Sequence, residues 1–196
     1  MATTTHLLYL HGFRSSPRSF KAQRVTAWLQ QHRPEVHLWC PQLPPSPREA
    51  MAMVFGGIAG WPADSSAVMG SSLGGFYAIA VAEATGWPAV LINPAVQPAR
   101  DLAFHIGEQT AYHDPADRFY FRPEFIDELR TLEQRALTRR DRYLPVLATG
   151  DEVLDFAEMQ RHCAGEPMRV VTGSDHALSD VDDHLPHVMR FLNLAP

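Results

Sequence analysis

The sequence predicts an α/β protein built on a six-stranded parallel sheet with helices on both faces. Three observations carry that prediction. Short, wholly apolar runs recur along the chain, as strands buried on both faces require. They alternate with helical segments six times, the pattern of a parallel sheet whose strands are joined by crossover helices. And one stretch, Ser66 to Phe76, passes from an apolar run through Gly70-Ser71-Ser72-Leu73-Gly74 into a run of small residues. That is a strand, a sharp turn and a helix, with a serine at the turn.

At 196 residues the chain is expected to form one domain with a core of its own. A net charge of −5 argues against a nucleic-acid groove or an anionic membrane surface as the main partner. The first residues show no basic stretch ahead of an apolar segment, so no signal peptide is expected. No apolar run approaches the roughly 20 residues of a spanning helix, so membrane insertion is not expected either. Cys40 and Cys163 lack metal-ligand spacing and read as reduced, buried residues, which suits a cytoplasmic protein.

Taken in order, Leu7-Leu8-Tyr9-Leu10 is the first strand, ending in His11-Gly12-Phe13. A polar turn leads to a helix over 19–31, with Phe20, Val25, Trp28 and Leu29 as its apolar side. Val36 to Cys40 is the second strand, closed by a proline-rich loop, and a helix follows from Arg48 to about Phe55. Ser66 to Met69 is the third strand. The helix after Ser72 runs to about Thr85, where Gly86 and Pro88 stop it. Ala89 to Ile92 is the fourth strand. The aromatic-rich stretch from Ala95 to Pro123 shows no period and reads as a lid-like, substrate-facing insertion. Glu124 to about Thr138 resumes a helical pattern. Tyr143 to Thr149 is the fifth strand, followed at once by Gly150-Asp151. After a short helix over 156–163, Met168 to Thr172 is the sixth strand, followed by Gly173-Ser174-Asp175-His176. The last helix opens on Asp182-Asp183, which suits the positive end of its dipole, with Pro186 expected in its first turn.

In open parallel sheets ligands bind beyond the carboxyl ends of the strands. Phe13, Ser72, Asp151 and His176 each follow a different strand within a few residues. A serine becomes a nucleophile when a base takes its proton, and the base needs a third group to fix its tautomer. The order Ser72, Asp151, His176 is the chain order of a Ser–Asp–His triad on the α/β-hydrolase fold. Asp155, four residues beyond Asp151, and the adjacent Glu152 are the alternative acids. Asp175 is a poor partner for His176, because neighbours on an extended loop point apart. The backbone N–H groups of Phe13 and Leu73 are the expected oxyanion donors. His11 reads as a structural residue of that loop.

Other charged clusters read more plainly. Asp182, Asp183, His184 and His187 form an acidic helix start with solvated histidines rather than a metal site. Arg135, Arg139, Arg140 and Arg142 complement a helix end, with a phosphate contact as the sharper alternative. Arg14, Arg18, Lys21 and Arg24 near the oxyanion loop carry the same two readings.

Six segments together, Leu8 to Ser19, Pro41 to Pro44, Gly70 to Ala78, Leu91 to Ala95, Thr149 to Asp155 and Asp175 to Ala177, resemble the YqiA-like esterases, small bacterial α/β-hydrolases. The resemblance implies an α/β-hydrolase fold shortened at its N-terminus, without the first two strands of larger members. It implies hydrolysis of short-chain esters and acyl-CoA thioesters, and it supports Ser72, Asp151 and His176. Arg14 stands where the family's loop carries asparagine, a change expected to bear on substrate preference. The segment from Ala95 to Pro123 lies outside the match. The expected function is therefore a cytoplasmic carboxylesterase or thioesterase acting on a small ester or acyl-CoA, without cofactor or metal. An amidase or peptidase using the same triad, and a non-catalytic module retaining the fold, are the rival readings.

Overall fold

A computed structural model describes residues 3–133, 136–165 and 167–195. Its strands are β1 (His6–Leu10), β2 (His37–Trp39), β3 (Ser66–Ser71), β4 (Ala89–Ile92), β5 (Gly107–Thr110), β6 (Arg118–Phe121), β7 (Tyr143–Ala148) and β8 (Arg169–Val171). Its α-helices are α1 (Phe20–His32), α2 (Pro47–Ile58), α3 (Leu73–Thr85), α4 (Pro98–Asp101), α5 (Glu124–Leu132), α6 (Phe156–His162) and α7 (Val181–Phe191). Six strands form one sheet in the order β2-β1-β3-β4-β7-β8, with every neighbouring pair parallel.

Alternation of side chains across the strands builds two apolar layers. Leu7 and Tyr9 of β1 point with Met69, Val90 and Val146 toward Val25 and Leu29 of α1 and Leu185 and Met189 of α7. Leu8 and Leu10 point the other way, with Val68 and Leu91, toward α2, α3 and α5. Both faces are thus covered, which is why the strands read as unbroken apolar runs. Helix α3 shows no apolar stripe because its first ten residues are all buried.

The connections reverse direction between β1 and β3. From β1 the chain moves outward to β2, then returns past β1 to β3 and proceeds to β4, β7 and β8. Such a reversal opens a crevice beyond the strand ends, between the loops that follow β1 and β3. Those loops carry Phe13 and Ser72.

The insertion after β4 holds α4 and a two-stranded antiparallel hairpin, with Gly107 opposite Phe121 and Thr110 opposite Arg118. Two expectations change. Helix α5 stops at Leu132 rather than near Thr138, and residues 134 and 135 of that span lie outside the described residues. Helix α7 begins at Val181, so Pro186 falls beyond its first turn, where it cannot donate to the Asp182 carbonyl. Among the described residues no helix is long and apolar enough to cross a membrane.

Candidate active site

The turn after β3 is held by close backbone approach. A Cβ on Gly70 would fall within the Gly74 carbonyl, and one on Gly74 within the Leu10 carbonyl, so α3 can start against β1 and β3 only with glycine at both positions. Ser72, between them, has φ 56° and ψ −124°, a region that costs a non-glycine residue roughly 1–3 kcal/mol. Its backbone is fixed on both sides. The Ser72 N–H donates to Ile92 O at 3.0 Å, and its carbonyl accepts from Gly75 N at 2.9 Å and Ala95 N at 3.0 Å.

Beyond β7 the Asp151 side chain is fully buried, and its Oδ2 accepts from His176 Nδ1 at 2.7 Å. Oδ1 accepts from the N–H groups of Val153 and Leu154, both at 2.8 Å. A carboxylate can only accept, so Nδ1 carries the proton and Nε2 is left with its lone pair. Asp155 sits elsewhere: its Oδ1 accepts from Glu158 N at 2.8 Å and caps α6. Asp175 caps its own turn, accepting from Ser179 N at 2.9 Å and Ser179 Oγ at 2.6 Å. Of the candidate acids, only Asp151 meets the imidazole. Glu152 acquires a different role, its Oε2 accepting the His176 backbone N–H at 3.0 Å.

Ser72 and His176 line one cavity of about 670 Å³, together with Gly12, Phe13, Leu73 and Lys21. No hydrogen bond joins Ser72 Oγ to His176 among the described residues. The N–H groups of Phe13 and Leu73, two residues of the same cavity lining, likewise have no hydrogen-bond partner among the described residues. Phe20, Tyr112 and Val153, all exposed, give the cavity an apolar mouth.

His11 explains how the first loop keeps its shape. Its Nε2 accepts from Leu43 N at 3.1 Å while Nδ1 donates to Gly12 O at 3.0 Å, which requires the neutral ring. Burial, aided by nearby His113 and opposed by the Gly12 bond, holds the imidazole below its ordinary value. The unfolded chain therefore binds a proton here more readily than the folded one. This residue's contribution to stability is complete above about pH 6.5 and is lost as pH falls from there toward its folded pKa. His11→Gln, which can accept and donate likewise, is expected to lose less melting temperature between pH 7.5 and 5.5 than the wild type does.

The hairpin braces the same loop. Arg14, itself at φ 57°, donates through Nε to Thr110 O at 2.6 Å and lies 4.4 Å from the centre of the Tyr112 ring. Phe13 packs edge-on against Phe119 and Phe121. Arg14 is thus spent on backbone and ring contacts. Arg24 pairs with Asp182. Arg139 pairs with Asp141, Arg142 bonds the Ala82 carbonyl, and Arg135 lies outside the described residues. Arg18 lines the cavity, whereas Arg139, Arg140 and Arg142 do not. His184 is a correction: it is buried, its Nδ1 accepting from Arg169 Nε at 3.0 Å and its Nε2 facing Asp180 at 3.3 Å. His187 is exposed. Burial pushes both thiols, Cys40 and Cys163, up to about 12, far from a reactive thiolate.

The fold defined by this sheet, its switch point and its serine turn is that of the α/β-hydrolases. Mouse alpha/beta hydrolase domain-containing protein 10 superposes with a TM-score of 0.66 at 14% identity, over 96% of this chain and 92% of that one. Est1E from Butyrivibrio proteoclasticus, with ferulic acid bound, gives 0.68 at 14% identity over 96% and 89%. The esterase domain of a Rhodothermus marinus protein gives 0.62 at 20% identity over 97% and 88%. Within that fold, the model of the uncharacterised protein family UPF0227, the YqiA-like family, matches residues 6–193. The chain belongs to that family.

Proposed function

We propose that the chain is a serine hydrolase of carboxylic esters or acyl-CoA thioesters. The observation that carries this reading is the Asp151–His176 hydrogen bond of 2.7 Å, opening onto the cavity that also holds the strained Ser72. As the acyl carbonyl enters, Ser72 Oγ attacks it and His176 Nε2 takes the proton. Asp151 holds the ring and stabilises the imidazolium. The carbonyl oxygen, now an anion, is received by the N–H groups of Phe13 and Leu73. His176 returns the proton to the departing alcohol or thiol. A water molecule, deprotonated by the same imidazole, then releases the acid and restores Ser72.

Asp151→Asn is expected to lower kcat about 10⁴-fold by favouring the wrong tautomer. Asp155→Ala is expected to keep kcat within a few-fold and to cost about 1 kcal/mol of stability through the lost α6 cap. Steady-state kinetics and melting curves of the two variants separate these roles.

The apolar mouth favours an apolar acyl group. Matched ester, thioester and amide substrates across chain lengths, with Ser72→Ala as blank, test the proposal and its amidase rival together. A feruloyl ester belongs in that panel, because Est1E binds ferulic acid. Hydrolysis of esters or thioesters well above amides supports the assignment; amide cleavage at comparable rates overturns it.

A further inference from the structure

The loop that carries His176 has no regular structure of its own, yet its backbone is gripped from three other segments. On one side of the residue, Glu152 takes the His176 N–H at 3.0 Å. On the other, the fully buried Asn93, just past β4, donates through Nδ2 to the carbonyls of Asp175 at 3.2 Å and His176 at 3.1 Å. Asn93 is anchored in turn, its Oδ1 accepting from Ala148 N at 2.8 Å. The third grip is Lys21, in the first turn of α1, whose Nζ donates to His176 O at 3.0 Å and to Ala177 O at 2.9 Å.

We propose that Lys21 is a positioning residue for His176: its ammonium ties the loop bearing the base to the helix that continues from the loop bearing Phe13. This rests on the reading of His176 as the base. The geometry gives Lys21 a reach that no surface lysine needs. Lys21 lines the Ser72 cavity, and its ammonium spans from α1 to the loop before α7. Both partners are backbone carbonyls, so what it fixes is the path of the main chain at the imidazole, not a side-chain rotamer. The carboxylates of Asp151, Asp175 and Glu152 all attract the ammonium. Burial pushes Lys21 down to about 8, against the pull of those three carboxylates, so it remains largely a cation at neutral pH.

A loss of rate with stability kept separates positioning from mere packing. Without the two hydrogen bonds, water can serve the carbonyls, so stability changes little, but the main chain that carries the imidazole loses one of its three anchors. A displacement of about 1 Å at a reacting group can cost on the order of 10²-fold in rate.

The test uses p-nitrophenyl acetate, a neutral substrate whose binding does not depend on Lys21's charge. Lys21→Met keeps the aliphatic stem; Lys21→Arg keeps the charge and can reach two carbonyls; His176→Ala checks the underlying reading. The proposal expects kcat of Lys21→Met to fall about 10- to 100-fold with KM within threefold. Lys21→Arg, which keeps the charge and the reach, should recover most of the rate. Wild-type kcat in Lys21→Met, with His176→Ala inactive, overturns the positioning role alone. Equal impairment of Lys21→Met and Lys21→Arg also overturns it. Wild-type activity in His176→Ala overturns the base assignment and the proposal with it.

Discussion

Ser72→Ala is expected to lose roughly 10⁴- to 10⁶-fold in kcat on any ester the wild type hydrolyses, while its melting temperature stays within a few degrees. The size follows from the role. With no nucleophile the acyl-enzyme route closes, and what remains is whatever the cavity and free N–H groups provide by binding and polarising the substrate. A companion variant separates chemistry from strain. Ser72 is held at φ 56°, which glycine adopts at little cost and alanine does not. Ser72→Gly should therefore be as inactive as Ser72→Ala but more stable than it, by about 1 kcal/mol. Equal stabilities would mean that the turn stores no strain at this residue. Thermal melts and steady-state kinetics on the three proteins read both effects.

Gly74→Ala carries the largest expected effect on the fold itself. Its Cβ would overlap the Leu10 carbonyl and lie 2.7 Å from the His11 carbonyl oxygen. Both obstacles are backbone within or just past β1, so no side-chain rotation relieves them. The start of α3 would have to lift off the sheet, at a cost of more than about 3 kcal/mol. Gly60→Ala, where a Cβ meets nothing within 4 Å, is the matched control and should be close to neutral. Urea denaturation midpoints compare them directly. If Gly74→Ala unfolds at the wild-type midpoint, the close approach of α3 and β1 is wrong.

The sheet was legible because burial on both faces leaves strands such as Leu7–Leu10 and Ala89–Ile92 wholly apolar, a pattern independent of partners far along the chain. The candidate site was legible for a related reason. Parallel strands end on one edge, so residues that directly follow strands gather there whatever the crossovers do. The β5–β6 hairpin was harder to read. Arg118-Phe119-Tyr120-Phe121 does alternate, with Phe119 and Phe121 on Phe13, but Gly107-Glu108-Gln109-Thr110 has no apolar face to match it. Its place is set by Arg14, nearly a hundred residues earlier.

Partners distant in sequence also explain the buried polar groups. His184 sits inside because Arg169 and Asp180 satisfy both ring nitrogens, and Glu128 because it accepts from Ser46 Oγ at 2.7 Å and Arg48 N at 3.1 Å. The acid is the exception, since a local signal was present. Asp155 followed three residues later by Glu158 is a helix-start pattern, and it accounts for Asp155 as a cap and leaves Asp151 facing His176. The grips on the His176 loop from Lys21, Asn93 and Glu152 had no such signal, because each is a contact between side chain and distant backbone.

The most direct test of the central claim is covalent labelling of the folded protein with a fluorophosphonate, read by intact mass and peptide mapping. A single adduct is expected on Ser72, absent in Ser72→Ala and in urea-unfolded protein, and formed far more slowly in His176→Ala. Folded protein that hydrolyses esters while Ser72 stays unlabelled, or that carries its adduct on another residue, would contradict it.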